Sequence, residues 1–128
     1  MNEKYDELLK TMPVGLERAI LRILSQRVGA ENAILGSQMF DMLRGLGFAL
    51  SDPRQMREAI KGLRREGHLI CSAPGTTGGY WLAANREELE SFGRQEFEAK
   101  IIDMSETWRA MQQAGQRKFG NAVQERLF

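Results

Sequence analysis

The passage from Ser51 to Ala83 constrains this chain most, because a sharply punctuated helix runs there straight into a short hairpin. Ser51-Asp52-Pro53 is a helix start. Ser51 or Asp52 accepts a hydrogen bond from the unpaired N–H groups of the first turn, and Pro53 suits that turn because its missing N–H costs nothing there. Met56, Ala59, Ile60 and Leu63 recur at helical spacing, which predicts a helix over 52–66 with one apolar stripe. Gly67 supplies its stop. Leu69–Ala73 reads as a strand, Pro74–Gly79 as a loop and Tyr80–Ala83 as the returning strand. The loop is longer than a two-residue turn and is expected to project as a finger.

The flanking segments are read in the same way. Leu16, Ile20, Ile23 and Leu24 predict an amphipathic helix over 16–28, ended by Gly29. Asn32–Gly36 is too short for a helix and reads as a brief strand. Ser37 is expected to cap a second helix, 38–46, whose apolar residues include Met39, Phe40 and Leu43. Phe48-Ala49-Leu50 is an apolar connector expected to tuck into the core. Residues 1–15 read as a polar arm, helical from Glu3 to Lys10 and set off by Pro13 and Gly15.

Beyond the hairpin, Asn85 is expected to cap a long last helix, with Glu87 and Glu88 in the first turn, where negative charge suits the helix dipole. Leu89, Phe92, Phe97, Ile101, Met104, Trp108 and Met111 carry its apolar stripe. From Phe97 the steps are four, three, four and three, a heptad pattern, flanked in this reading by Glu106 and Arg109. Gly115 interrupts it, and Phe119, Val123 and Leu127 suggest a second short amphipathic piece. The expected class is therefore α+β, mostly α: a three-helix core with a β-hairpin, followed by a long C-terminal helix. Its divisions are an N-terminal arm (1–15), a core domain (16–85) and a helical dimerisation segment (86–128).

Composition narrows the function classes. The 128 residues suit one domain with an appendage, and 42% apolar residues suffice for a core. No run approaches the roughly 18 apolar residues of a membrane span. The charged start MNEKYDELLK does not resemble a secretory signal. The single cysteine, Cys71, excludes an internal disulfide and a cysteine-rich zinc site, and a reducing cytoplasm is the expected location. Cys71 is expected to be a small, buried, inert strand residue. His68 stands alone past a helix end, where a local structural role is expected. Asp41, Asp52 and Asp103 have no metal-ligand spacing, and no cofactor motif or enzyme signature is present.

The net charge of +1 hides an uneven distribution. Residues 16–85 carry nine Lys and Arg against six acids, while the segments on either side are each net −1. The excess is accounted for by Arg54, Arg57, Lys61, Arg64 and Arg65, set against Glu58 and Glu66.

The order of elements and several stretches of sequence carry a family resemblance. NAI, REAIKGLRREGHLICSAPG and GGYWLA resemble the winged helix-turn-helix domains of the biotin-repressor-like group, and still more the small winged-helix proteins of phages and prophages. The resemblance covers about residues 16–85. The connector from Gly45 to Ser51 departs from a tight helix-turn-helix, and nothing suggests the ligase domain of the bifunctional biotin repressor. The resemblance implies a winged helix with 52–66 as recognition helix and 74–79 as wing, binding double-stranded DNA to regulate transcription or replication. The alternative is a winged-helix adaptor that docks proteins through the long C-terminal helix.

The candidate DNA-contacting residues are Ser51, Arg54, Gln55, Arg57, Glu58, Lys61, Arg64 and Arg65 on the helix, with Thr76 and Thr77 in the wing. Arg and Lys neutralise phosphates and release counterions, Arg reads guanine edges, and Gln reads adenine. Arg64 and Arg65, late in the helix, are expected to meet phosphate. The plainer reading is a solvated helix face with i,i+4 pairs such as Arg54–Glu58. The wing carries no Lys or Arg, so its Thr hydroxyls and backbone N–H groups would contribute little, and a plain hairpin loop reads almost as well. Tyr80, Trp81 and Leu82 are expected to be structural, with Trp81 in the core or against the last helix. The stripe Phe97, Ile101, Met104, Trp108 and Met111 either folds back on the core or pairs with a second chain. A helix of about 25 residues spans nearly 40 Å, more than a domain of about 70 residues covers, which favours a homodimer.

Overall fold

The computed structural model describes residues 3–74 and 78–120, with the side chains of Glu3 and Lys4 excepted. In chain order the elements are α1 (Glu3–Thr11), α2 (Leu16–Leu24), a 3-10 turn (Ala30–Asn32), α3 (Gly36–Gly45), α4 (Pro53–Arg65), β1 (Ile70–Ala73), β2 (Gly79–Leu82), α5 (Arg86–Gly93), a π-helical turn (Arg94–Glu98) and α6 (Ala99–Phe119). The protein is mostly helical, with one two-stranded antiparallel sheet. Residues up to Phe92 form one compact unit and residues from Gly93 a second.

The core of the first unit follows the sequence periodicity. α2 contributes Ile20, Leu21 and Leu24, α3 Met39 and Leu43, and α4 Met56, Ile60 and Leu63. Ile70 and Leu82 of the hairpin close over them, with Ile34 and Leu50 from the connectors. Each such side chain contributes roughly 1.5–3 kcal/mol by leaving water.

The N-terminal segment is not only a polar arm. α1 buries Leu9 in this core, with Tyr5, Leu8 and Met12 packed beside it. Four apolar residues among charges look polar in sequence, but their spacing puts them on one face of a helix.

Element ends differ from expectation where side chains or tertiary contacts intervene. α2 stops at Leu24 and not at Val28: Ser25 Oγ donates to the Arg22 carbonyl at 2.6 Å, and the chain then turns so that the Arg27 carbonyl accepts from Leu82 N at 2.8 Å. Ser37 does not cap α3. That helix starts two residues earlier than expected, at Gly36, and Gln38 Oε1 accepts the Leu35 N–H at 3.3 Å. The brief strand expected at Asn32–Gly36 contracts to one antiparallel bridge, Ile34 with Tyr80, preceded by a parallel one, Val28 with Leu82. The Ile34 bridge requires Gly79, because a Cβ there would collide with the Ile34 carbonyl. In the connector from Gly45 to Ser51, Leu50 is buried and Phe48 half-buried, as expected, while Ala49 is exposed.

The hairpin pairs Ile70 with Leu82, Cys71 with Trp81, Ser72 with Tyr80 and Ala73 with Gly79. A second small cluster forms on its other face from Cys71, Trp81 and Phe92, with Leu89 beside them. α5 thus packs on the hairpin through Leu89 and Phe92, within the first unit. The second unit contains the π-helical turn and α6. Val123 and Leu127 lie outside the described residues.

Candidate nucleic-acid interface

α4 is held at its start by the cap that the sequence announces. Asp52 Oδ1 accepts the Arg54 N–H at 2.8 Å, and Gln55 Oε1 accepts the N–H groups of Ser51 at 2.9 Å and Asp52 at 3.3 Å. Pro53 occupies the first helical turn. At the other end Gly67 turns the chain with φ of +99°, a conformation that side-chain-bearing residues rarely adopt, and leads it into β1. Met56, Ile60 and Leu63 fix the rotation of the helix, with each at most 3% exposed.

That rotation sends Arg54, Arg57, Glu58, Lys61 and Arg65 to the exposed side. At 100° per residue, Arg54, Lys61, Arg65 and Glu58 lie opposite the buried stripe, with Arg57 at its margin. Among the described residues, Arg54, Arg57, Lys61 and Arg65 make no ion pair. The Arg54–Glu58 pair of the plainer reading is absent. Four cations thus share one helix face with a single carboxylate.

Three of the sequence candidates are placed differently. Arg64 is half-buried: its Nε donates to the Ile70 carbonyl at 2.8 Å, its Nη2 to Ser72 Oγ at 3.0 Å, and its guanidinium carbon lies 5.0 Å from the Phe92 ring centroid. It joins α4 to β1 and α5 and does not stand on the open face with Arg65. Gln55 is exposed, but its carboxamide oxygen serves the cap, so the two-ended recognition of adenine is not open to it in this arrangement. Ser51 belongs to the same cap through its N–H. Thr76 and Thr77 lie outside the described residues.

Beside Arg57 the structure opens a cleft of about 290 Å³ between the starts of α3 and α4. Phe40, Pro53, Met56 and Tyr80 line it, with Ser37 and Asp41 on the α3 side. Sequence reading treated Tyr80 as structural and passed over this cleft, since it forms only when the Ile34 bridge sets β2 against α3. Arg44 lies outside it, 5.8 Å from the Phe40 ring centroid.

A second residue whose role sequence reading missed is Glu88. Its Oε1 accepts the Trp81 indole N–H and the Ala84 N–H, both at 3.1 Å, and its Oε2 accepts the Ala30 N–H at 3.2 Å. Asn85 Oδ1 accepts the Glu88 N–H at 2.9 Å, which is the expected cap of α5. The Asn-x-x-Glu spacing of a capping box was the available signal. Trp81 packs with Phe92 and Cys71, in the core of the hairpin face.

His68 and Cys71 make only local contacts of note. His68 Nε2 lies 4.0 Å from Glu66 Oε2. Cys71 is fully buried, and its thiol is pushed up to about 11, first by burial and then by the Glu88 carboxylate, against the opposing pull of Arg64. On the second unit, the sequence-predicted seam residues Phe97, Ile101, Met104, Trp108 and Met111 are all exposed. Among the described residues no helix is long and apolar enough to cross a membrane. Comparison with protein-family models, with curated proteins and with solved structures finds no match to this chain.

Proposed function

We propose that the protein is a winged-helix DNA-binding protein that regulates transcription or replication, with α4 laid in the major groove of double-stranded DNA. The observation that carries this reading is the exposed face of α4, where Arg54, Arg57, Lys61 and Arg65 make no ion pair among the described residues. Unpaired cations at this spacing suit a row of phosphates and base edges. The element order lends support: α2, α3 and α4 share one core, the hairpin follows α4 directly, and Ile34 extends β2 as a third pairing segment. In this arrangement Arg54, Arg57 and Lys61 are the base- and phosphate-facing residues, and Arg65 meets backbone. Arg64 is reserved for the fold, and Gln55 and Ser51 position the start of the helix.

Fluorescence anisotropy with labelled random duplex DNA across a salt series tests the proposal. Log affinity should fall linearly with log salt, and the double variant Arg57→Ala with Lys61→Ala should lower that slope by about 2 while the fold is kept. Absence of binding at low salt would reject the proposal and favour an adaptor role centred on α6. Unchanged affinity in the double variant would remove α4 from the DNA face.

A further inference from the structure

Within α4, Glu58 is the single acid, set among Arg54, Arg57, Lys61 and Arg65 on the exposed side. None of these cations neutralises it: among the described residues Glu58 makes no ion pair. Its direction is fixed by the buried stripe of the same helix. At 100° per residue, Glu58 lies about 15° from the line opposite Met56, Ile60 and Leu63, whereas Lys61 lies about 45° and Arg57 about 90° from that line. Glu58 is therefore near the crest of α4, with Arg54 one turn before it and Lys61 and Arg57 down one flank. A helix in the major groove presents its crest to base edges and its flanks to the phosphate backbones.

We propose that Glu58 determines sequence specificity by accepting a hydrogen bond from the N4 amine of a cytosine in the major groove. The inference rests on the reading of α4 as the DNA-binding helix. A carboxylate is repelled by phosphate, so a face that only held the backbone would bind more tightly with a neutral residue at this position. The carboxylate is favourable where it meets a donor, and the bases differ in what they offer. Guanine presents N7 and O6 and thymine presents O4, all acceptors that repel it. Adenine offers the N6 amine but sets the N7 acceptor beside it, whereas cytosine offers its N4 amine alone. The guanine paired with that cytosine exposes N7 and O6, and Arg54, one turn away, has the donors for guanine in that pair or the next. The cations around Glu58 supply attraction to any duplex, and Glu58 rejects the wrong bases by repulsion.

Selection of bound duplexes from a random pool, followed by anisotropy titration of the selected site with single pairs exchanged, tests this role. The wild-type chain should require a C·G pair at one position, with about tenfold loss of affinity for another pair there. Glu58→Ala should lose that requirement at that position alone and bind random duplex more tightly than the wild type. Glu58→Gln should move the preference from cytosine to adenine, because a carboxamide presents a donor and an acceptor together. Ala and Gln are strong helix formers and the position is exposed, so both variants should keep the wild-type melting midpoint. Equal tightening of Glu58→Ala on every sequence, with the wild-type site still selected, overturns the role of Glu58 and leaves DNA binding by α4 standing. A wild-type chain that binds duplex without sequence preference does the same. Loss of a preference for a base other than cytosine overturns the assignment to cytosine. Absence of duplex binding at low salt overturns this inference together with the reading on which it rests.

Discussion

Arg64 and Arg65 are adjacent and chemically identical, yet the structure gives them opposite duties. Arg64 donates to Ile70 and Ser72 and covers Phe92, whereas Arg65 is exposed. Arg64→Ala should lower stability by about 2 kcal/mol, because a half-buried carbonyl and hydroxyl lose a charged donor, and should leave the salt slope of the proposed DNA binding unchanged. Arg65→Ala should leave stability within about 0.5 kcal/mol and reduce that slope by about 1. Chemical denaturation and salt titration of the two variants separate these outcomes. Cys71 gives a second prediction at this scale. Its ordinary value is 9.0 and its folded value about 11, so above pH 9 the unfolded thiol ionises while the folded one keeps its proton. Stability is then lost as pH rises from about 9 towards 11. Melting curves over that range should fall more steeply for the wild-type chain than for Cys71→Ala. The sequence indicated a buried, inert Cys71, since a lone cysteine between apolar strand residues has few other places to go. It did not separate Arg64 from Arg65, because that difference arises from residues six and eight positions further on, folded back by Gly67.

Elements with their own punctuation were the most legible. α4 carries Asp52, Pro53 and Gln55 at its start and Gly67 after its end, so its position, its buried stripe and its exposed basic face could all be read from local spacing. Asp52→Ala should cost about 1 kcal/mol, the usual value of a lost N-cap, and denaturant titration measures it. α5 was legible through Asn85 but not in what it packs against. The three N–H groups gathered by Glu88 come from Trp81, Ala84 and Ala30, and the last is 58 residues distant. Glu88→Ala should therefore cost more than the loss of a simple cap, about 2 kcal/mol or more, with the loss visible in Trp fluorescence as well as in helix content. The segment around Ile34 was misread for the opposite reason. Its apolar residues suggested a strand, but only one residue pairs, and a single bridge leaves no periodicity to find.

At the scale of the whole molecule, periodicity predicted a mostly helical chain with a small two-stranded hairpin, and that much is present. The placing of α1 was not legible, since Leu9 becomes a core residue only when α2 offers a surface for it. Leu89 and Phe92 continue the helical stripe of the later segment in sequence but pack on the hairpin in space. A chain ending at Gly93 should therefore unfold cooperatively with a midpoint close to that of the full chain at high dilution. Loss of the cooperative transition in calorimetry would show that the first unit depends on the second.

The contact between Arg64 and the Ile70 carbonyl has a consequence for association as well. Tyr80 and Leu82 turn their peptide groups away from β1, towards Ile34 and the segment Arg27–Gly29. Their partners Ser72 and Ile70 must then point outward, because antiparallel pairs alternate. β2 is thus covered along its outer side, and β1 is the side open to an incoming strand. The Arg64 guanidinium occupies the Ile70 carbonyl on that open side, while the Ile70 N–H donates back to His68. A positive charge seated on the edge of so short a strand obstructs edge-to-edge pairing of sheets between molecules. The same arginine that ties three elements together also keeps the hairpin from serving as a template for other chains.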